Sequence, residues 1–169
     1  MILVTTGSSG GPFDRLLSVV ERFDVAEDIL VQHGPSALRP PGARCVEYLP
    51  FDDLSRAVSD ARVVVAHAGV GSILLCLTHG RTPLVVPRLP SLGEVVDDHQ
   101  LVLARRLALS GAVTCVENAG DLPELVRRQA PDSVGDRRDP LGASALASEL
   151  RRYIESVAPS VTGATVETP

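Results

Sequence analysis

The segment from Val63 to Ile73, Val-Val-Val-Ala-His-Ala-Gly-Val-Gly-Ser-Ile, carries an apolar run through a turn of small residues into a helical pattern. Gly69 and Gly71 let a ligand approach the backbone closely, and the free N–H groups that open the following helix attract an anion. Two readings fit: a phosphate site, or a tight turn alone. A dinucleotide fingerprint does not fit, because its third small position is Leu74 and the glycines follow a middle strand rather than the first. That disfavours an NAD-dependent oxidoreductase. A second glycine loop, Gly7-Ser8-Ser9-Gly10-Gly11, repeats the physics and adds two hydroxyls. Two helix N-termini facing one crevice would hold a diphosphate without a metal. Further on, Asp97-Asp98-His99-Gln100 offers the donors and acceptors that sugar hydroxyls require. The same residues also read as an aspartate helix cap with solvent-facing neighbours. Consecutive helical residues point in different directions, so a metal site there is poorly supported.

These loops need elements to position them. Short β-branched runs at residues 2–5, 29–32, 45–48, 63–66, 84–86 and 113–116 alternate with helical patterns at 13–22, 53–58, 71–79, 97–109 and 122–129. The first helix opens near Pro12, a residue suited to an initial helical turn. The expected fold is α/β: one Rossmann-like, doubly wound parallel sheet of about six strands flanked by helices. In such sheets ligands bind beyond the carboxyl ends of the strands, where strand order reverses. Residues 131–142 read as a flexible loop, 143–157 as a final helix and 159–169 as a frayed tail, leaving one domain over 1–158.

Composition removes other chemistries. The chain has 169 residues, and all sixteen of its Lys and Arg residues are arginine. Without lysine there is no Walker-type phosphate loop and no Schiff-base amine. A net charge of −5, three Phe, two Tyr and no Trp argue against nucleic acid as a partner. The arginine pairs sit among acids or on helical patterns and read as solvated faces. Cys45, Cys76 and Cys115 are widely spaced in apolar runs, as buried thiols of a reducing compartment would be. No run approaches the roughly 18 apolar residues of a membrane span, and no signal sequence opens the chain. The expected location is cytoplasmic, with any membrane contact peripheral.

Taken together, the blocks resemble a family. They are Val4-Thr5-Thr6-Gly7-Ser8-Ser9, Val31-Gln32-His33-Gly34, Tyr48-Leu49-Pro50-Phe51-Asp52-Asp53-Leu54, His67-Ala68-Gly69-Val70-Gly71-Ser72, residues 80–87 and Asp98-His99-Gln100. In this order and spacing, over about residues 1–110, they are similar to the C-terminal, donor-binding half of GT-B glycosyltransferases of the family-28 type. Beginning with Met1 directly on the first strand, the chain looks like a stand-alone donor subunit of a split enzyme. The segment from Pro87-Arg88 through Gly93-Glu94 to Gln100 looks most like the bacterial exopolysaccharide group.

The resemblance implies an inverting transfer of a hexose or N-acetylglucosamine from a UDP-sugar to a lipid-linked saccharide, with no cofactor and no required metal. It implies a membrane-anchored partner subunit that holds the acceptor. It assigns Gly7, Ser8 and Ser9 to the diphosphate loop, Gln32 and Gly34 to the crevice wall, and Phe51 to the uracil edge. His67, Gly69, Gly71 and Ser72 would contact the phosphates, with His67 stabilising or protonating the leaving group near neutral pH. Asp98 and Gln100 would bind the donor sugar. One position departs: the family commonly has a ribose-binding glutamate where this chain has Leu75. An unpaired buried hydroxyl there would cost on the order of 1–3 kcal/mol. No general base for the acceptor is evident. The alternative is a nucleotide-sugar-binding module without a catalytic role.

Overall fold

The structure, a computed structural model, describes residues 1–8 and 10–129. The described residues form one six-stranded sheet in the order β3-β2-β1-β4-β5-β6, every pairing parallel. The strands are β1 (Ile2–Thr5), β2 (Ile29–Gln32), β3 (Arg44–Val46), β4 (Val63–His67), β5 (Leu84–Val86) and β6 (Thr114–Cys115). A strand buried on both faces reads as a continuous apolar run, which is how β1, β4 and β5 appear in the sequence. The chain builds outward from β1 to β3, then returns to place β4 on the other side of β1. That reversal makes the β1/β4 boundary the switch point of the sheet.

Helices cover both faces. On one side Ile2, Val4, Val31 and Val65 pack with Phe13, Leu16, Leu17, Leu122 and Val126, from α1 (Asp14–Leu17), its preceding residue and α5 (Leu122–Arg128). On the other, Leu3 and Val64 meet Ala57 and Val58 of α2 (Phe51–Asp60) and Leu75 and Cys76 of α3 (Val70–Thr78). Val85 and Ile73 meet Leu103 and Leu107 of α4 (His99–Leu109). Successive residues of β1 thus serve opposite layers, as strand geometry requires.

The departures from expectation are local. The first helix, expected over 13–22, ends at Leu17 and resumes as a 3-10 turn at Val20–Arg22. Ser18 Oγ bonds back to the Arg15 carbonyl at 3.0 Å, and two β-branched valines follow, so propagation is weak there. A four-residue helix carries little dipole, so the expectation of two strong helix N-termini in one crevice is corrected to one. The helix expected at 53–58 runs from Phe51 to Asp60, directly after Pro50. β3 leaves the sheet at Val46, which turns Tyr48 outward to 60% exposure. Of the three cysteines only Cys76 is buried; Cys45 and Cys115 are half-buried. The loop, final helix and tail expected beyond residue 130 lie outside the described residues.

Leu122 is fully buried where α5 meets the sheet. Leu122→Ala should cost about 2–5 kcal/mol in urea unfolding with the slope unchanged. A loss under about 1 kcal/mol would refute the packing of α5 described above.

Candidate functional site

Register brings the two glycine loops together. Thr5 ends β1 beside Ala66 of β4, so Gly7 and His67 emerge side by side at the carboxyl ends of adjacent strands. The imidazole lies against both loops. A Cβ on Gly7, whose φ is +85°, would stand 2.5 Å from His67 Cε1, and a Cβ on Gly69 would overlap the ring. Both positions therefore exclude a side chain as long as His67 keeps this rotamer.

Beyond them opens a cavity of about 250 Å³ with a mixed lining. Thr5, Gly7, Ser8, Gln32, Gly71 and Ser72 are its polar and glycine residues; Tyr48, Leu49, Phe51, Leu54 and Leu75 are its large apolar ones. Thr5 Oγ1 accepts from Gly7 N and donates to Gln32 Oε1, both at 3.2 Å, which fixes the first loop to β2. Helix α3 opens at this lining with Gly69 as its N-cap, no side-chain cap and no acidic residue in its first turn. Its first backbone bond runs from Ile73 N to Gly69 O. The N–H groups of Val70, Gly71 and Ser72 precede that bond and make up an anion-attracting terminus. Phe51 is 68% exposed and offers a free aromatic face for a planar ring.

His67 lies against Gly7 and Gly69, outside the lining itself, and its Nδ1 is buried with no hydrogen-bond partner. Burial, reinforced by the positive charge of Arg88, pushes its pKa down to about 4. The near-neutral value expected from sequence is thus corrected. At pH 7 the ring is neutral and can donate one hydrogen bond from whichever nitrogen carries the proton.

Six of the sequence-assigned residues, Gly7, Ser8, Gln32, Phe51, Gly71 and Ser72, line this one cavity. Gly34 and Gly69 support it from behind. Gly34 has φ +55°, and a Cβ there would press within 3.0 Å of both Gly7 O and Thr6 Oγ1. Asp98 and Gln100 are not part of the lining. Asp98 precedes α4 without capping it through its side chain; Asp97 instead accepts from His99 N at 3.2 Å. Gln100 Oε1 accepts from Arg88 N at 3.2 Å. Ser9 lies outside the described residues. The sequence reading missed Thr5 and Arg88. Thr5 could have been noticed as the last residue of a first strand that feeds a glycine loop. Arg88 gave no such signal, because charged side chains are rarely buried.

The histidine has a consequence for stability. The unfolded chain takes up this proton near pH 6.5 and the folded chain only near 4, so protonation favours unfolding. Stability is intact above about pH 6.5 and falls as the pH drops through 4, by about 3 kcal/mol in all. His67→Gln should lack that component when denaturant unfolding is compared at pH 7, 5 and 4. Parallel pH profiles for the two proteins would show that the ring is not desolvated.

Comparison with known proteins gives this geometry a context. The model of the glycosyltransferase family 28 C-terminal domain matches residues 1–134. The UDP-N-acetylglucosamine–N-acetylmuramyl-(pentapeptide) pyrophosphoryl-undecaprenol N-acetylglucosamine transferase of Acinetobacter baumannii (strain AYE) is 28% identical over 138 residues, covering 75% of this chain and 37% of its own length. The UDP-N-acetylglucosamine transferase subunit ALG13 of Yarrowia lipolytica is 30% identical over 123 residues, covering 63% of this chain and 60% of its own. The chain thus spans between about a third and three fifths of these relatives. Among solved structures, the calicheamicin glycosyltransferase CalG4 aligns with a TM-score of 0.60 at 20% identity, over 94% of this chain and 44% of that one. The kitacinnamycin glycosyltransferase aligns at 0.58 and 21%, over 92% and 39%. These two likenesses agree with the sheet order and the flanking helices on fold. With the family model spanning most of its length and its glycine loops meeting at the switch point, the chain belongs to the glycosyltransferase family 28 C-terminal domain family.

Proposed function

We propose that this domain binds the nucleotide-sugar donor of an inverting glycosyltransferase and, with a membrane-anchored partner subunit, moves a hexose or N-acetylglucosamine from a UDP-sugar to a lipid-linked saccharide. The setting is polysaccharide or glycolipid synthesis at the cytoplasmic face of the membrane, with the bacterial exopolysaccharide type favoured by the segment from Pro87 to Gln100. The observation that carries the reading is the mixed lining of the cavity. The uncapped start of α3 with Gly7, Ser8 and Ser72 suits a diphosphate, and the large apolar residues with the exposed Phe51 ring suit the base.

In this arrangement Gly7, Ser8 and the first turn of α3 hold the phosphates, and Phe51 flanks the uracil. The pentose then lies near Leu75, one helical turn beyond Ser72, which offers no hydrogen-bond acceptor. Affinity therefore comes from the base and the phosphates. Asp98 and Gln100 lie outside the cavity lining, and in this reading they bind the donor sugar. As the anomeric C–O bond breaks, negative charge grows on the departing diphosphate. The α3 terminus, the Ser72 hydroxyl and the neutral His67 N–H stabilise it without a metal. Among the described residues the lining contains no carboxylate, which supports a partner subunit as the source of the base for the acceptor hydroxyl.

The same lack of a carboxylate, with Leu75, favours a second reading: a nucleotide-sugar-binding module that senses or scaffolds. Thermal melting against UDP, TDP and GDP sugars tests both readings at their root. At about a hundredfold excess over Kd, a ligand of the native state adds about 2.7 kcal/mol, or roughly 5–10 °C. UDP-sugars should give this shift, and silence across the panel would overturn the donor site. Transfer that appears only on co-expression with the partner subunit supports the enzyme. Binding without turnover in the complex leaves the module.

A further inference from the structure

Arg88 is the largest side chain to be almost fully enclosed, at 1% exposure, and it lies directly beneath the first glycine loop. Nη1 donates to the Pro12 carbonyl at 2.9 Å and Nη2 to the Thr6 carbonyl at 3.4 Å. Those carbonyls bracket loop residues 7–11, so one planar fork grips both ends of the loop. The guanidinium stacks 4.4 Å from the Phe13 ring centroid. A Cβ on Gly10, in the middle of the loop, would stand 3.8 Å from Arg88 Cζ. The cation is therefore in van der Waals reach of the loop's underside.

Glu94 acts on its charge through space, and Arg15 opposes it, but no carboxylate contacts Arg88 among the described residues. The nearby Glu94 receives Nε and Nη2 of Arg15, both at 2.9 Å, and also accepts from Leu89 N at 2.9 Å. Among the described residues no carboxylate oxygen comes within 4.0 Å of Arg88. One carboxylate shared between two guanidinium groups leaves a net positive charge here, and the cost of burying it falls when an anion arrives on the other side of the loop. Lysine, the usual source of such charge at a phosphate loop, is absent from this chain.

Resting on the donor reading above, we propose that Arg88 is the positioning residue of the diphosphate subsite: it holds the Thr6 and Pro12 ends of the first glycine loop in place and supplies from beneath the positive charge that the donor's diphosphate completes. Arg88 does not touch the ligand. It acts through the loop, and its backbone N–H, held by Gln100, ties the same residue to the start of α4.

The test compares UDP with uridine, which keeps the base and pentose and lacks the phosphates, by calorimetry on the full chain. R88Q should bind UDP at least tenfold more weakly with uridine affinity unchanged within twofold. R88K, which keeps the charge and loses the fork, should fall between, about threefold to tenfold weaker for UDP alone. Equal losses for UDP and uridine would make Arg88 merely structural and overturn the proposal, as would wild-type UDP binding by R88Q. Should R88Q fail to fold, R88K decides, and unchanged UDP affinity overturns the proposal. A wild-type chain that binds no nucleoside diphosphate would sink the donor reading itself and this inference with it, whereas UDP binding indifferent to Arg88 would sink the inference alone.

Discussion

The parallel pairing of β1 with β4 is the constraint on which the site depends. These strands are separated by two others in the chain and lie side by side in the sheet, so their loops leave from the same edge at the same height. Everything catalytic in the proposal is built on that adjacency. Shifting β4 by one residue against β1 would turn His67 to the other face and separate it from Gly7. The apolar layers on both sides of the sheet hold the register, because Leu3 and Val64 must face α2 and α3 while Val4 and Val65 face α1 and α5.

Positive potential reaches the crevice by an indirect route. With no lysine in the chain and with the described arginine pairs, Arg105-Arg106 and Arg127-Arg128, exposed to solvent, the crevice draws on the first turn of α3 and on Arg88 behind the first loop. Both act through backbone. Fixed dipoles and a buried charge lose little to reorganisation when an anion arrives, which suits stabilisation of a leaving diphosphate. The cost is borne by His67, which the same burial and the same cation hold neutral. The site therefore combines fixed positive dipoles and charge with an imidazole that is neutral at pH 7.

Much of the fold was legible in advance. Strands at 2–5, 29–32 and 84–86 match the observed bounds residue for residue, because short β-branched runs flanked by glycine or proline leave little choice. The helices were placed less well at their ends. α2 begins at Phe51, directly after Pro50 and two residues before the expected start at Asp53, and Ser18 interrupts α1 where apolar spacing called for continuation. End positions depend on capping and on competing side-chain bonds, which periodicity does not record.

For the site, residue types and spacing were enough to single out both glycine loops, the family resemblance added roles for His67, Gln32 and Phe51, and the expected parallel sheet placed the site beyond the carboxyl ends of its strands. Chemistry that is local along the chain can be read from the chain: a glycine pair after an apolar run has few alternative uses. What only the tertiary structure decided is non-local. It set the burial that makes His67 a neutral ring and the contact that forbids a side chain at Gly7 and Gly69. It also enclosed Arg88 under a loop seventy-odd residues away in sequence, between carbonyls of Thr6 and Pro12. Solvation and long-range contact are properties of the packed chain, and an arginine in a sequence carries no mark of the side on which the fold will close over it.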